Sequence, residues 1–473
     1  MPKSTSKLKV LPPFPKLIKF SKIIGPSFII LAFGLGSGEL ILWPYLTSNY
    51  GLGIVWAALL GLTCQYFINM EIERYALVRG ESVFVGLNRH LPKAAYWFIT
   101  STFIGFGLPG IVAAAAKSLS YATGIEDYKW LAIGLLILFG FILSAGTSVY
   151  RLMEKLTKMV ILIAVPILLL LVVMLVQGEH IVDFWQGLRG IGKNYSFIPS
   201  GISLATFLAA FAYSGAGGNL NLAQSIYIKE KGYGMGAYSS KISGLFRKGH
   251  IDSSVSLEGQ RFAPTAENIN RYKSWWKSIN LEHGLVFGLL GFVAMALLMI
   301  LSYSTTYGAA DNQEGIAFIK NQSQHIALVL SLPFGTLFLV LIGLLLSQTQ
   351  LGILDSTSRI MAENAALKKI ENTHRPKVHL SKIYFIFLWA QITFGVILFL
   401  LDFKEPKQLI VLGAVINAWA MIVHIALVYY LNHKELAPEF RPAIWRKIVL
   451  ILIFIIFLGF GIVTLWSNLI HKL

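Results

Sequence analysis

Long runs of hydrophobic residues, separated by shorter polar segments, repeat along the whole chain. Each run holds about 20 residues or more, which is enough for an α-helix to cross a hydrocarbon core of about 30 Å. Because lipid offers no partners to unpaired backbone groups, the runs predict helices packed on one another in a membrane. Eleven spans are predicted, at approximately residues 23–47, 51–72, 94–121, 130–150, 157–177, 197–225, 284–307, 326–352, 383–401, 408–431 and 448–466.

The basic residues predict how these spans are oriented. If the N-terminus is cytoplasmic and the spans alternate in direction, 32 of the 40 Lys and Arg residues fall in the N-terminal tail and the inner connections. Such an excess is typical of cytoplasmic segments. We therefore expect an integral protein of the cell membrane (plasma or inner), with its N-terminus inside and its C-terminus outside.

Composition agrees with a membrane protein and excludes several other classes. Hydrophobic residues make up 55% of the chain and charged residues only 13%, about half the charged fraction of an average soluble domain. The net charge of +17 would suit nucleic acid, but its position in the inner connections indicates attraction to anionic lipid headgroups instead. The single Cys64 allows neither a disulfide framework nor a cysteine-based zinc site. We expect no enzyme activity, no cofactor and no nucleic-acid partner.

The order of the spans predicts four parts of the chain. A basic tail (residues 1–22) precedes a first five-helix unit (23–177), a second five-helix unit (197–431) and an additional C-terminal helix (448–466). The second unit contains a long polar connection, residues 226–283, with nine Lys and Arg and a Trp pair in RYKSWWKSI. This pattern favours an amphipathic segment lying at the membrane surface. A partner-binding role for it stays open, and no protein partner is predicted.

Glycine clusters interrupt the first and sixth spans. Each cluster places three glycines within four or five residues at mid-span, and each glycine costs a helix up to about 1 kcal/mol relative to alanine. The clusters are Gly34, Gly36 and Gly38 in the first span and Gly215, Gly217 and Gly218 in the sixth. Broken helices at corresponding positions of two halves indicate a transporter site near the midplane. Close helix packing at small residues is the alternative explanation.

One acidic residue accompanies the first cluster. Glu39 is the only carboxylate predicted in mid-membrane, and an intramembrane acid marks a functional site by default. It could ligate a cation or carry a proton, and a purely structural glutamate is the alternative. Asp355 and Glu363, at the inner end of the eighth span, are instead expected on a solvated extension of that helix.

Three motifs carry a resemblance to a known family. They are GPSF at the start of the first span, EIERYALVRGES after the second, and SQTQLGILDSTSRIMAEN at the eighth. Through them, and over roughly the first ten spans, the chain resembles the natural resistance-associated macrophage protein (Nramp) family of divalent-metal transporters. The resemblance implies an all-α membrane protein of about eleven transmembrane helices, with a leucine-transporter-type inverted repeat and broken helices 1 and 6.

The metal-binding motifs of that family are altered here. Alignment on GPSF places Gly36 at the family's metal-binding Asp and Glu39 at its metal-binding Asn. In the sixth span, Ala216 stands at the family's Met, whereas Asn219 keeps the family's Asn. Because a Met sulfur favours transition metals, its loss favours a hard cation held by oxygen, such as magnesium with several waters retained.

The proton carriers of the family are altered as well. Phe106 and Pro109 stand roughly where its third span has an Asp and a Glu, and Ala223 stands near its second span-6 His. The transporter would therefore couple to protons through Glu39 alone, use sodium, or be uncoupled. The candidate substrate- or ion-binding residues are Gly36, Ser37, Glu39, Tyr213, Ala216, Asn219 and Asn221, with Glu39 and Asn219 as metal ligands and Glu39 as the proton acceptor.

These observations predict a secondary transporter that moves a divalent, hard metal cation by alternating access. A metal ion would be its substrate and not a cofactor. Two alternatives stay open. One is a transporter of an organic solute, such as an amino acid or amine, on the same fold. The other is a membrane scaffold or sensor that does not transport and acts through residues 226–283.

Overall fold

The computed structural model describes residues 11–36, 38–145, 149–239, 256–309, 312, 315–374 and 377–470. These residues form helices almost throughout, with one short antiparallel hairpin of β1 (Ile191–Gly192) and β2 (Tyr195–Ser196). The first helices are α1 (Phe20–Ile23), α2 (Pro26–Gly34), α3 (Trp43–Tyr50), α4 (Val55–Arg79), α5 (Val83–His90), α6 (Ala94–Phe106), α7 (Gly110–Thr123), α8 (Tyr128–Ala145), α9 (Val149–Leu175) and α10 (Gly178–Gly187). The later ones are α11 (Leu204–Ala212), α12 (Leu220–Lys231), α13 (Ala266–His283), α14 (Gly291–Thr306), α15 (Ala317–Val329), α16 (Leu332–Thr373), α17 (Leu380–Leu400), α18 (Pro406–Glu435) and α19 (Ile444–Ile470).

Ten helical stretches of the described chain are long and apolar enough to cross a membrane. They are Pro26–Tyr50, Leu52–Arg79, Ala94–Thr123, Tyr128–Ala145, Val149–Leu175, Ala266–Thr306, Leu332–Thr373, Leu380–Leu400, Pro406–Glu435 and Ile444–Thr464. The predicted sixth span is present as α11 and α12, two short helices separated by a break. With it the prediction of an all-α integral membrane protein of about eleven spans is confirmed.

The eighth span begins later than predicted. The pattern placed it at residues 326–352, but α15 ends at Val329 and a separate helix, α16, runs for 42 residues from Leu332 to Thr373. Pro333 lies in the first turn of α16, where a missing N–H costs nothing. The boundary was hidden because the residues on both sides of it are hydrophobic.

The polar connection is more ordered than a surface-lying linker. Of residues 226–283, the last eighteen form α13, which continues through a π-helix (Gly284–Leu290) into α14. Trp275 is 1% exposed, and its indole N–H donates to the carbonyl of Pro15 at 3.1 Å. α13 therefore packs onto the N-terminal segment and α4 of the protein, and Trp275 is not an interfacial anchor.

Asp355 and Glu363 of α16 are buried, so the expectation that they lie on a solvated helix extension is wrong. Asp355 and Glu363 are 0% and 2% exposed. Arg359 contacts Asp355 at 2.8 Å and Glu230 of α12 at 2.5 Å, and Lys229 contacts Glu363 at 3.1 Å. We call this part of the bundle, formed by α13 and the C-terminal ends of α4, α12 and α16, the basic end. The charge bias predicts that it faces the cytoplasm.

We expect Arg359→Met to destabilise the protein by about 3 kcal/mol or more, because it leaves two buried carboxylates without their cation. The matched control is Lys368→Met on the same helix, whose partner Glu371 is half exposed and whose loss should cost less than about 1 kcal/mol. Unfolding curves of the purified proteins in one detergent measure the difference. Equal losses in the two variants would refute the stabilising role of the buried cluster.

Candidate substrate site between the two broken helices

The first span is broken after Gly34, at the end of α2. The chain resumes as a π-helix (Gly38–Leu42) that leads into α3, and π-helical turns of this kind occur frequently at functional sites. In a continuous helix the N–H of Gly36 would bond the carbonyl of Ala32. Here the Thr349 hydroxyl of α16 donates to that carbonyl at 2.6 Å instead. Ser37, a predicted site residue, lies outside the described residues.

The sixth span is broken between α11 and α12. The φ angles of Gly215, Gly217 and Gly218 are 136°, 69° and 52°. Residues other than glycine rarely adopt such positive φ angles. The predicted unwinding at this glycine cluster is therefore present. The break leaves the last carbonyls of α11 and the first amides of α12 without partners inside a helix.

Gln65 of α4 satisfies backbone groups on both sides of this break. Its Nε2 donates to the carbonyl of Ala212 at 2.7 Å, and its Oε1 accepts from the N–H of Gly217 at 3.0 Å and from Asn221 Nδ2 at 3.1 Å. Asn221 also donates to Asn69 of α4 at 2.6 Å. One buried amide thus fastens the two half-helices to span 2.

The two breaks touch each other. A Cβ atom added at Gly38 would lie 1.8 Å from the carbonyl oxygen of Tyr213, and one added at Gly34 would lie 2.7 Å from the Cα of Gly215. These distances are shorter than any real contact, so only glycine permits the approach. The backbones of spans 1 and 6 therefore meet at mid-bundle, as the matching positions of the glycine clusters predicted.

Glu39 lies at this junction. The residue is 0% exposed, and its Oε1 is 2.7 Å from the position of a Cβ atom at Gly34, beside the chain at Gly215. Neither carboxylate oxygen has a hydrogen-bond partner among the described residues. A buried, unpaired carboxylate is costly. The site therefore requires a cation, a proton or water at Glu39.

Asn219 and Tyr213 face a different neighbour. Asn219 Nδ2 donates to Ser101 Oγ at 2.8 Å and to Thr102 Oγ1 at 3.0 Å, both on α6, and its Oδ1 has no partner among the described residues. The ring of Tyr213 stacks on Phe106, which also belongs to α6. Asn417 Nδ2 of α18 donates to the Tyr213 hydroxyl at 2.8 Å. Spans 3 and 10 thus border the sixth-span break.

The predicted site residues therefore form two groups. Both Gly36 and Glu39 lie at the first break, where Gly36 packs against Thr349 of α16 and Glu39 lies beside Gly34 and Gly215. Asn219 and Tyr213 are directed to spans 3 and 10, Asn221 is directed to span 2, and Ala216 lies buried within the second break. In this arrangement Asn219 is hydrogen-bonded to α6, whereas the Glu39 carboxylate has no hydrogen bond to any described residue.

Several polar residues that line the breaks were missed by the sequence reasoning, namely Gln65, Asn69, Ser101, Thr102 and Thr349. The signal for them was present, because each is a polar residue within a run that is otherwise apolar. Their direction was not readable, because α4 and α16 are buried over most of their length and the exposed face of α6 is itself apolar, so no polar face marks any of these helices.

No family model and no curated protein matches the sequence. Among solved structures, the fold is similar to that of the Eremococcus coleocola manganese transporter. A mutant of that protein superposes with a TM-score of 0.66 at 14% identity, covering 98% of this chain and 91% of the other. Its complex with an aromatic bis-isothiourea substituted compound gives 0.65, at the same identity and coverage. MhsT in complex with L-phenylalanine gives 0.50 at 14% identity, covering 93% of this chain and 98% of the other.

These likenesses define the class of fold. The chain has the Nramp-type architecture, a variant of the leucine-transporter fold with broken helices 1 and 6, as the motifs implied. It is an integral membrane protein with the fold of a transporter.

We expect Gly38→Ala to lower the stability of the protein by about 1–3 kcal/mol, because the added methyl group overpacks the contact with the Tyr213 backbone. The matched control is Gly134→Ala in α8, where an added Cβ atom meets nothing within 4 Å and helix propensity favours alanine. Thermal unfolding in detergent compares the two. The proposed backbone contact is excluded if Gly38→Ala unfolds at the same temperature as Gly134→Ala.

Proposed function

We propose that the protein is a secondary transporter that moves a divalent, hard metal cation across the membrane by alternating access. The observation that carries this proposal is the Glu39 carboxylate, which is buried where the two broken helices meet and has no hydrogen-bond partner in the described part of the chain. A single negative charge in a low-dielectric site attracts a cation strongly. The Nramp-type fold, shared with a manganese transporter, supports the same conclusion.

Neutral oxygens would complete the coordination. The unwound chain near Gly36 and Ala216 offers backbone carbonyls, and Asn219 Oδ1 still has its lone pairs free of partners in the described part of the chain. No group of three or more His, Cys, Asp and Glu residues that could hold a metal is found among those residues. A bound ion would therefore keep several waters, which suits magnesium better than a soft transition metal.

Alternating access is compatible with the different surroundings of Glu39 and Asn219. Asn219 is held by Ser101 and Thr102 on span 3, whereas Glu39 lies against Gly34 and Gly215. We infer that both contact the ion only in another conformation of the cycle. Coupling to protons would then run through Glu39, the carboxylate at the junction. The basic end would face the cytoplasm, with the N-terminus inside and the C-terminus outside.

An organic cation, such as an amine or the ammonium group of an amino acid, is the second candidate substrate. The Glu39 carboxylate lies against Gly34 and has no hydrogen-bond partner among the residues that the structure describes, so it is free to accept from an ammonium group. The similarity to MhsT, whose structure contains L-phenylalanine, supports this alternative. The metal is preferred because the similarity to the manganese transporter is greater.

We expect Glu39→Gln to lose at least about 90% of saturable metal uptake, because removing the charge forfeits the main attraction for the ion. Uptake of Mg²⁺ and Mn²⁺ into proteoliposomes measures this. Glu371→Gln, a half-exposed carboxylate on α16, serves as the control and should transport at the wild-type rate. Wild-type uptake by Glu39→Gln would exclude Glu39 as the ligand.

Thermal-shift measurements on the purified protein separate the two substrate classes. A ligand at 100 times its dissociation constant stabilises the folded state by about 2.7 kcal/mol, and we expect this shift with Mg²⁺ or Mn²⁺ and its absence in Glu39→Gln. A shift with amino acids or amines but not with metals would transfer the proposal to the organic solute. Absence of saturable uptake for every solute would favour the scaffold role of residues 226–283.

A further inference from the structure

A second group of ionisable side chains is buried at the start of α2, on the side of the basic end. Ser27 belongs to α2, Glu73 to α4, and Glu282 and His283 to the end of α13. All four residues are at most 1% exposed. None of them belongs to the substrate site proposed above. Ser27 and Glu73 lie in the GPSF and EIERYALVRGES motifs, but the sequence pattern assigned a function to none of the four residues.

These side chains form a continuous chain of contacts. The Ser27 hydroxyl donates to Glu282 Oε2 and lies 2.8 Å from His283 Nδ1, and the N–H of Gly25 donates to Glu282 Oε1 at 3.3 Å. His283 Nδ1 is also 3.3 Å from Glu73 Oε1. That oxygen accepts from Gln224 Nε2 of α12 at 2.5 Å. The chain therefore joins α2 to α4, α12 and α13.

Its charges do not balance without a proton. No Lys or Arg forms an ion pair with Glu73 or Glu282 in the described part of the chain, and Glu73 Oε2 and His283 Nε2 have no hydrogen-bond partner there. Lys158 and Lys231 interact electrostatically with Glu282, but each forms its ion pair with Glu154, at 2.6 Å. Two unneutralised carboxylates around a neutral imidazole would be very costly in a buried site.

The hydroxyl of Ser27 carries a single proton, which it donates to Glu282. The contact of His283 Nδ1 with Ser27 and Glu73 then requires a proton on Nδ1, since two acceptors cannot bond each other. Any further proton would be shared among the three ionisable groups, which titrate as a unit. Glu73 Oε2 and His283 Nε2 are the two positions open to receive it.

We propose that Glu73, His283 and Glu282 form a proton-binding site, and that the bound proton fastens the start of α2 to α4 and α13. α2 is only nine residues long, has no side-chain cap at its N-terminus and is interrupted at its other end. Loss of the proton leaves two like charges facing each other beside this short helix. The helix start then separates from the bundle, which lets water reach the carboxylates.

The proton-binding site rests on the proposed function in one respect. If the protein is a transporter, release of α2 at the basic end would open the substrate site to that side. The binding of the proton itself does not depend on any substrate. Other titratable groups also face the cluster. Tyr66 of α4 stacks on His283. The remaining groups are Tyr150, Glu154 and Lys158 of α9, Lys231 at the end of α12, and Tyr233 just after it.

Hydrogen–deuterium exchange of the full-length protein in lipid nanodiscs tests the proposal without a substrate. We expect the amides of residues 22–34 to exchange faster at pH 8 than at pH 6, after correction for the intrinsic pH dependence of exchange. For a single proton the change is at most about tenfold per pH unit. Exchange is expected to be slower at low pH because the conformation in which α2 is held against α4 and α13 binds the proton more tightly, and a low pH favours that conformation.

Two variants and one control identify the groups. Glu73→Gln imitates the neutral carboxyl, so residues 22–34 should exchange slowly at both pH values. His283→Gln should also abolish the pH dependence and provides the test if Glu73→Gln does not fold. Glu267→Gln, an exposed carboxylate in the first turn of α13, should behave as wild type.

The proposal is overturned if wild-type exchange of residues 22–34 does not depend on pH, or if either cluster variant keeps the wild-type dependence. Failure of the proposed transport function gives a different result. In that case Glu39→Gln leaves metal uptake unchanged, whereas the pH dependence of exchange and its loss in Glu73→Gln persist.

Discussion

Two interrupted helices can cross a membrane only if the backbone groups freed at the interruptions find partners inside the protein. Gln65 and Thr349 supply these partners, the first to the break of span 6 and the second to the break of span 1. The rest of the architecture depends on these hydrogen bonds to the backbone. It allows the chains at Gly38 and Tyr213 to meet at mid-bundle, and their meeting encloses Glu39. As a consequence, one carboxylate is buried where the two unwound segments meet.

The basic end shows a second use of buried polarity. Arg359, Asp355 and Glu230 form a fully buried ionic cluster, in which every charge has a partner of opposite sign. In the cluster at Ser27, Glu73, Glu282 and His283, neither carboxylate forms an ion pair with a Lys or Arg among the described residues. A paired cluster specifies one arrangement of helices, whereas an unbalanced one is stable only with a bound proton. Rigid and switchable contacts thus lie side by side around α2 and α12.

Much of the fold followed from hydrophobic patterning alone. The number of spans and the two glycine breaks were predicted, because lipid imposes a length and an apolar composition that a sequence shows directly. The start of the eighth span was misplaced, since α15 and α16 are both hydrophobic at their junction. Asp355 and Glu363 were wrongly assigned to solvent, because a charge near the end of a span is equally compatible with water and with a buried partner. Trp275 was assigned to the membrane surface because a tryptophan in a basic, polar segment is typical of an interfacial helix, and the pattern does not show that α13 packs against the protein.

The sequence by itself determined that the chain crosses a membrane, where its helices break and that an acid, Glu39, lies at one break. These are local properties, set by composition and helix propensity within a single span. The tertiary structure decided which neighbours the polar side chains meet. Gln65 bridges the sixth span, Asn219 turns to span 3, and Glu73 meets His283 across more than 200 residues of sequence. Such pairings depend on helix rotation and packing, which residues far apart in the chain fix together.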